Sequence, residues 1–310
     1  MAHMIETMFS VREKPWHGLG TIVMEAPASA EALKLAGLDW TVEQEPVYTE
    51  HNEMVKGYKA NVRSSDRRVL GVVSDRYKVV QNTDAFSFTD ELLGKGVKYE
   101  TAGSLQEGKK VWLLARLPKE YVIAGERISS YLVFSNTHDG SGSVKVAVTP
   151  VRVVCNNTLN LALDNAKRSF YMIHTGNIHD KIQEAKDTLF MAENYMDNLG
   201  IEFEQLRRQK MTDVQVKEYI ELLLPMGEEP TPIQRKNILK LRSDMEQRYY
   251  EAPDLQKVGN NAYRFLNAIS DFATHSRPLR MTVNYKENVF ARTIDGNPLI
   301  DKAYQLVKAA

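Results

Sequence analysis

The chain has 310 residues, 43% of them hydrophobic and 26% charged, which suffices for one large domain or two ordinary ones and excludes a disordered polymer. Lysine plus arginine equals aspartate plus glutamate at 40 each; this excludes a strong nonspecific polyanion binder with a basic surplus, so any nucleic-acid site has to be a local patch. The single cysteine, Cys155, excludes an intramolecular disulfide and argues against a cysteine-based zinc site.

Taken in chain order, residues 1–24 read as irregular, with Lys14-Pro15-Trp16-His17-Gly18-Leu19-Gly20 forming a shaped loop. A short helix is expected over 29–37, capped by Ser29 and stopped by Gly37, with Ala32, Leu33 and Ala36 on one face. Strands follow at Trp40–Val47, Val55–Arg63 and Arg68–Val73, the last two joined by the polar turn Ser64-Ser65-Asp66-Arg67. Thr83–Leu93 has helical spacing and ends at Gly94.

A second β run begins near Val97, with strands at Val111–Leu117, Tyr131–Ser135, Val144–Val148 and Val151–Cys155. Asn156–Ala166 is expected to turn into a helix and Ser169–His174 into one more strand. From Asn177 onward the pattern is helical. A first helix ends at Gly200, then come Asp213–Leu224, a helix from Thr231-Pro232 to Tyr250, Asn261–His275 and Leu299–Lys308. The fold class is therefore α+β, with an antiparallel sheet and packed helices in 1–176 and a helical region in 177–310, the two packed as one continuous body.

No apolar run approaches the length needed to cross a bilayer, and the first residues lack the blocks of a signal peptide, so a cytoplasmic protein with no membrane partner is expected. Zero net charge weakens colloidal repulsion and favours a homo-oligomer.

Four segments could carry chemistry. Asp139-Gly140-Ser141-Gly142-Ser143 is glycine-rich, but a strand follows it rather than a helix N-terminus, so a hairpin loop is favoured over a phosphate cradle. His138, Asp139 and His174 could meet only through the fold, and no metal-ligand spacing or cofactor motif is present. Cys155 sits in an apolar run and reads as a small buried hydrophobe rather than a nucleophile. Lys145–Lys181 holds five basic against two acidic residues. Lys145 and Arg152 alternate with valines and are expected to project opposite the core. Asn156 and Asn157 add neutral donors, Lys167 and Arg168 further cations, and Tyr171 a stacking surface. By itself such a stretch reads first as a solvated sheet face with salt bridges. The basic set Arg235, Lys236, Lys240, Arg242 and Arg248 reads as the outer face of an amphipathic helix.

Several stretches together resemble the phage/plasmid-like protein family, the domain of unknown function DUF932. They are Lys14–Gly20, Tyr77-Lys78-Val79-Val80-Gln81-Asn82, Ser135–Gly142, Thr149–Leu159, His174-Thr175-Gly176-Asn177 and Asn261–Ala268. The resemblance covers nearly the whole chain and implies a protein of phages, prophages or conjugative plasmids, with no established catalytic residues to carry over. That context favours nucleic-acid work. The expectation is a single-stranded DNA binding protein that promotes annealing or recombination without covalent catalysis, cofactor or metal. Its contacts would be Lys145, Arg152, Asn156, Asn157, Lys167, Arg168 and Tyr171. Two alternatives stand beside it: a counter-defence protein that binds a host protein, and an enzyme processing nucleotides or nucleic acid through His138, Asp139 and His174, with or without a metal.

Overall fold

The computed structural model of the chain describes residues 5–12, 20–94, 97–123, 126–149, 169–279 and 297–309. The architecture is α+β, with antiparallel sheets in the N-terminal half and helices in the C-terminal half. Of the described residues, those up to 119, 129–149 and 169–194 form one compact unit, and 120–123, 126–128, 195–279 and 297–309 form the other.

The strands, all in the first unit except for 120–123 of β7 and 126–128 of β8, are β1 Ile5–Val11, β2 Thr21–Val23, β3 Val42–Tyr48, β4 Met54–Arg63, β5 Val69–Ser74, β6 Tyr99–Leu105, β7 Lys110–Ile123, β8 Glu126–Thr137, β9 Val144–Thr149 and β10 Ser169–Met172. A seven-stranded sheet has the order β10-β9-β8-β7-β6-β1-β2, and β3-β4-β5 form a three-stranded sheet. Strand β1 pairs antiparallel with β6 and parallel with β2 at the edge. These first strands correct the expectation of an irregular N-terminus. Met8, Phe9, Ser10 and Val11 are all buried, so both faces of β1 are covered and no polar alternation marks it as a strand. The turn between β4 and β5 is held by Asp66, which accepts hydrogen bonds from Arg63 and from the Arg68 amide.

Two helices belong to this unit. Helix α1 spans Ser29–Leu35, with Ala28 rather than Ser29 at the cap position. The Ser29 hydroxyl instead donates to Asp90. Helix α2, Asn82–Leu93, is opened by a capping box in which the Gln81 amide donates to Asp84 Oδ2 at 2.9 Å, and it ends at Gly94 with φ +87°. Trp112, Tyr99, Phe9, Phe88 and Phe134 are the largest fully buried side chains of the unit, each contributing about 1.5–3 kcal/mol through removal from water.

Helix α3, Ile182–Arg208, carries the chain into the second unit. It runs through Gly200, which sequence pattern marked as its end. Glycine costs about 1 kcal/mol in a helix interior, and the buried stripe Leu199, Phe203 and Leu206 outweighs that. Helix α4, Asp213–Leu223, starts at a Thr212–Gln215 capping box, and α5, Pro232–Glu251, at a Thr231–Gln234 capping box. Helix α6, Ala262–His275, is capped by Asn261, and a C-terminal helix, Pro298–Lys308, by Asn297. No helix among the described residues is long and apolar enough to cross a membrane. The strand expected at Val151–Cys155 and the helix expected at Asn156–Ala166 lie outside the described residues.

Candidate nucleic-acid interface and a buried histidine cluster

Strand β9 lies between β8 and β10, antiparallel to both, and β10 is the edge strand among the described residues. The register places Lys145 opposite Ser135 on one side and Tyr171 on the other. Phe170 and Met172 of β10 alternate with Tyr171 and are buried in the core with Val144, Val146 and Val148. Tyr171 stands on the other face and is 58% exposed.

Lys145 was expected to reach solvent from that face. It does lie opposite the valines, but it is only 6% exposed. Its ammonium lies 5.5 Å from the Tyr171 ring centroid. A lysine beside an edge-strand tyrosine gains both from covering its methylenes and from placing its charge over the π face. Of the seven residues predicted to contact nucleic acid, Lys145 and Tyr171 are brought together here. Arg152, Asn156, Asn157, Lys167 and Arg168 lie outside the described residues, as does Cys155.

The glycine-rich segment after β8 is a hairpin loop. The Ser141 amide donates to Asp139 Oδ1 at 2.9 Å and the Gly142 amide to Thr137 Oγ1 at 3.1 Å, so these two backbone donors are used inside the loop. Gly140 has φ +78°, a conformation that favours glycine. The loop backs directly onto β5, where a Cβ on Gly71 would come within 2.6 Å of Asp139 Cα.

Three motifs that are far apart in the chain meet behind this loop. The segment Lys78–Asn82 is bound at alternate residues: Lys78 O by His174 Nδ1 at 3.1 Å, Val80 O by Asn136 Nδ2 at 3.0 Å, and Asn82 Oδ1 by His138 Nε2 at 3.1 Å. The Asn82 amide nitrogen donates to Leu38 O and Trp40 O, which leaves its oxygen to accept. His138 therefore carries its proton on Nε2, and His174, facing a carbonyl, carries one on Nδ1. The second ring nitrogen of each, and Asn136 Oδ1, are buried lone pairs with no partner among the described residues.

Burial first, then the neighbouring His174, holds His138 down at about 3, against the opposing pull of Asp139. His174 is likewise lowered, because burial outweighs its bond to Lys78 O. Both imidazoles are neutral near pH 7. Full burial of His138 makes it a packing element beneath Trp40, whose ring it meets edge-on at 5.4 Å. His179 is not part of the cluster; its Nδ1 faces Glu91 at 3.3 Å on the surface.

Sequence reasoning singled out the histidines but missed the amides that orient them. Asn61, which donates to His138 O at 2.7 Å, and Asn82 and Asn136 are buried polar residues in apolar surroundings, and that pattern was the available signal. The basic set on α5 behaves as expected of a surface helix. Arg235, Lys236 and Lys240 are exposed, and Arg242 bonds Leu224 O and Glu221.

No curated protein and no solved structure matches the chain. A family profile described as Domain of unknown function (DUF932) matches residues 69–296, from β5 through α6 and beyond. The matched stretch takes in the glycine-rich hairpin loop, the histidine cluster and the β9–β10 face, and covers more than two thirds of the 310 residues: the chain belongs to the DUF932 family.

Proposed function

We propose that the protein binds single-stranded nucleic acid along the β9–β10 face and promotes strand annealing or recombination without covalent catalysis, acting as a homo-oligomer in the cytoplasm of a bacterium that carries a phage or plasmid. The observation that carries this reading is the lysine-backed tyrosine on an edge strand: Tyr171 exposes its ring with the Lys145 ammonium 5.5 Å from its centre. The exposed aromatic offers a base a stacking surface, a contact that does not depend on sequence, and the lysine beside it adds positive charge to the patch. The surplus of cations between Lys145 and Lys181 supports it by extending positive charge along the chain on either side of β10. Zero overall charge is consistent with binding confined to one patch.

Fluorescence anisotropy with labelled single-stranded DNA, duplex DNA and RNA, at low and moderate salt, tests the reading. Preferential, salt-weakened binding to single strands is expected. Tyr171→Ala should weaken it by about 1–3 kcal/mol while leaving thermal stability near that of the parent, since the ring is exposed. Equal affinity for single strands and duplex, or an undiminished affinity in the Tyr171→Ala protein, would remove this face from consideration.

A further inference from the structure

Helix α5 opens beyond the end of α4. Arg242 is where it is attached: Nη2 and Nε donate to Leu224 O at 2.9 and 3.1 Å, and Nη1 donates to Glu221 Oε1 at 2.9 Å. Before Arg242 the helix has no buried side chain. Residues 232–236, 239 and 240 are exposed and 237, 238 and 241 are half-buried, whereas Met245 and Tyr249 farther along are fully covered.

Residues 232–243 contain Arg235, Lys236, Lys240 and Arg242 and no acidic residue. Arg242 is paired with Glu221, but Arg235, Lys236 and Lys240 have no ion-pair partner among the described residues. Ile238, Leu241, Met245 and Tyr249 recur at helical spacing and set the face turned toward the unit. Lys236, Lys240 and Ser243, at i, i+4 and i+7, fall on the opposite side. The two lysines are one turn apart, about 6 Å along the axis. Asn237 stands beside them, and neither its amide nor the Ser243 hydroxyl is engaged among the described residues.

The placement of charge works against the helix that carries it. Thr231 caps α5, and no acidic residue stands in its first turn. Arg235 and Lys236 instead lie near the end where the helix dipole is positive and favours anions. A local preference broken with no compensating partner in the fold is characteristic of functional surfaces, and a docked polyanion would satisfy both the dipole and the cations.

We propose that this half of α5 is a second nucleic-acid contact, holding the sugar-phosphate backbone with Arg235, Lys236 and Lys240 as cations and Asn237 and Ser243 as neutral donors. The inference rests on the nucleic-acid reading of the protein but not on the β9–β10 face. Lysine, arginine, amide and hydroxyl donors are the groups that contact phosphates, and they position a strand without reading its bases. The helix therefore binds single strands and duplexes alike and leaves the preference for single strands to Tyr171. A membrane surface is a poorer match. Ile233 and Leu239 are both exposed but lie on opposite flanks of the lysine stripe, so they form no single apolar face to insert.

Fluorescence anisotropy on the full chain, with labelled single-stranded and duplex DNA over a salt series, tests this. Arg235→Gln, Lys236→Gln and Lys240→Gln combined replace exposed side chains with another good helix former, so circular dichroism should match the parent. Affinity for both DNAs should fall about tenfold or more at low salt. On single strands the slope of log K against log salt should become shallower by about 2, as three lost phosphate contacts require. Lys34→Gln, Lys56→Gln and Lys217→Gln combined remove the same charge from exposed positions elsewhere and should bind as the parent does. An α5 variant that binds like the parent, or a control variant that weakens as much, overturns the proposal, while Tyr171→Ala still decides the β9–β10 face. Weakening by the α5 variant with no effect of Tyr171→Ala keeps this contact and removes that face. No binding of either DNA by the parent overturns both. Capture of phosphatidylglycerol vesicles that the α5 variant loses, with DNA binding unchanged, overturns the proposal in favour of a membrane surface.

Discussion

Tyr77 and His174 stack nearly parallel, with ring centroids 4.4 Å apart and planes 16° from one another. The Tyr77 hydroxyl passes beyond the imidazole to donate to Thr137 O at 2.5 Å, so one side chain ties the start of the Lys78–Asn82 segment to the end of β8 and to the stretch after β10. Burial, with Asp139 adding to it, pushes the phenol well above its usual range, and it remains a neutral donor at every pH of interest.

Removal of that tie should separate packing from hydrogen bonding. Tyr77→Ala is expected to cost about 3–5 kcal/mol, the range for truncating a buried aromatic. Tyr77→Phe keeps the stack and loses the bond to Thr137 O, a cost of about 1–3 kcal/mol. Urea denaturation followed by circular dichroism measures both, and equal losses in the two variants would show that the stack contributes little.

His138 makes stability depend on pH in a defined direction. Its folded value is about 3, whereas in the unfolded chain it returns toward 6.5. Between those values the unfolded state binds the extra proton, so the stabilisation is intact above pH 6.5 and is lost as pH falls toward 3. The slope from this one residue approaches about 1.4 kcal/mol per pH unit below 6. His138→Gln, which keeps an amide donor for Asn82 but cannot titrate, should flatten the pH 4–6 dependence measured by urea denaturation. An unchanged slope would place the acid sensitivity elsewhere.

Gly71 is required by a close approach rather than by its backbone angles. A Cβ there would meet Asp139 Cα at 2.6 Å and Asp139 O at 2.7 Å, and both are backbone atoms that cannot rotate aside. Gly71→Ala should push β5 and the hairpin loop apart and cost about 1–3 kcal/mol, read as a lowered melting temperature. A melting temperature at or above that of the parent would mean the loop yields freely.

Arg264 closes the end of α5 from a neighbouring helix. It is 6% exposed, its Nε donates to Tyr249 O at 2.7 Å and its Nη2 to Tyr250 O at 3.3 Å, and its guanidinium lies 4.9 Å from the Tyr249 ring centre. These carbonyls belong to the last turn of the helix, where no intrahelical donor remains. Arg264→Met fills similar space but leaves them without that donor, and a loss of about 2–4 kcal/mol is expected in thermal or urea unfolding. Arg264→Lys should recover only part of it, because an ammonium cannot span the same acceptors as a planar fork.

Local chemistry alone was enough to place much of this protein. The hairpin β4–β5, with its Ser64–Arg67 turn, follows from alternation and turn residues, and the helices opened by Thr231-Pro232 and Asn261 follow from their caps. Such signals depend on neighbours within four residues, so a single sequence contains them. Strand β1 and the passage of α3 through Gly200 were not legible, because burial of both faces and a long-range apolar stripe override local pattern. The candidate sites divide in the same way. The basic and aromatic residues near β9 and β10 could be read by composition, but not the approach of the Lys145 ammonium to the Tyr171 ring, since that depends on the register between two strands. Asp271 and His275 lie one helical turn apart in the sequence; their partnership with Arg248 and Asp244 exists only because α5 and α6 pack together. Tertiary structure decided which polar groups lost water and which partners they found, and the preference for protonated or neutral, free or paired, follows from that loss.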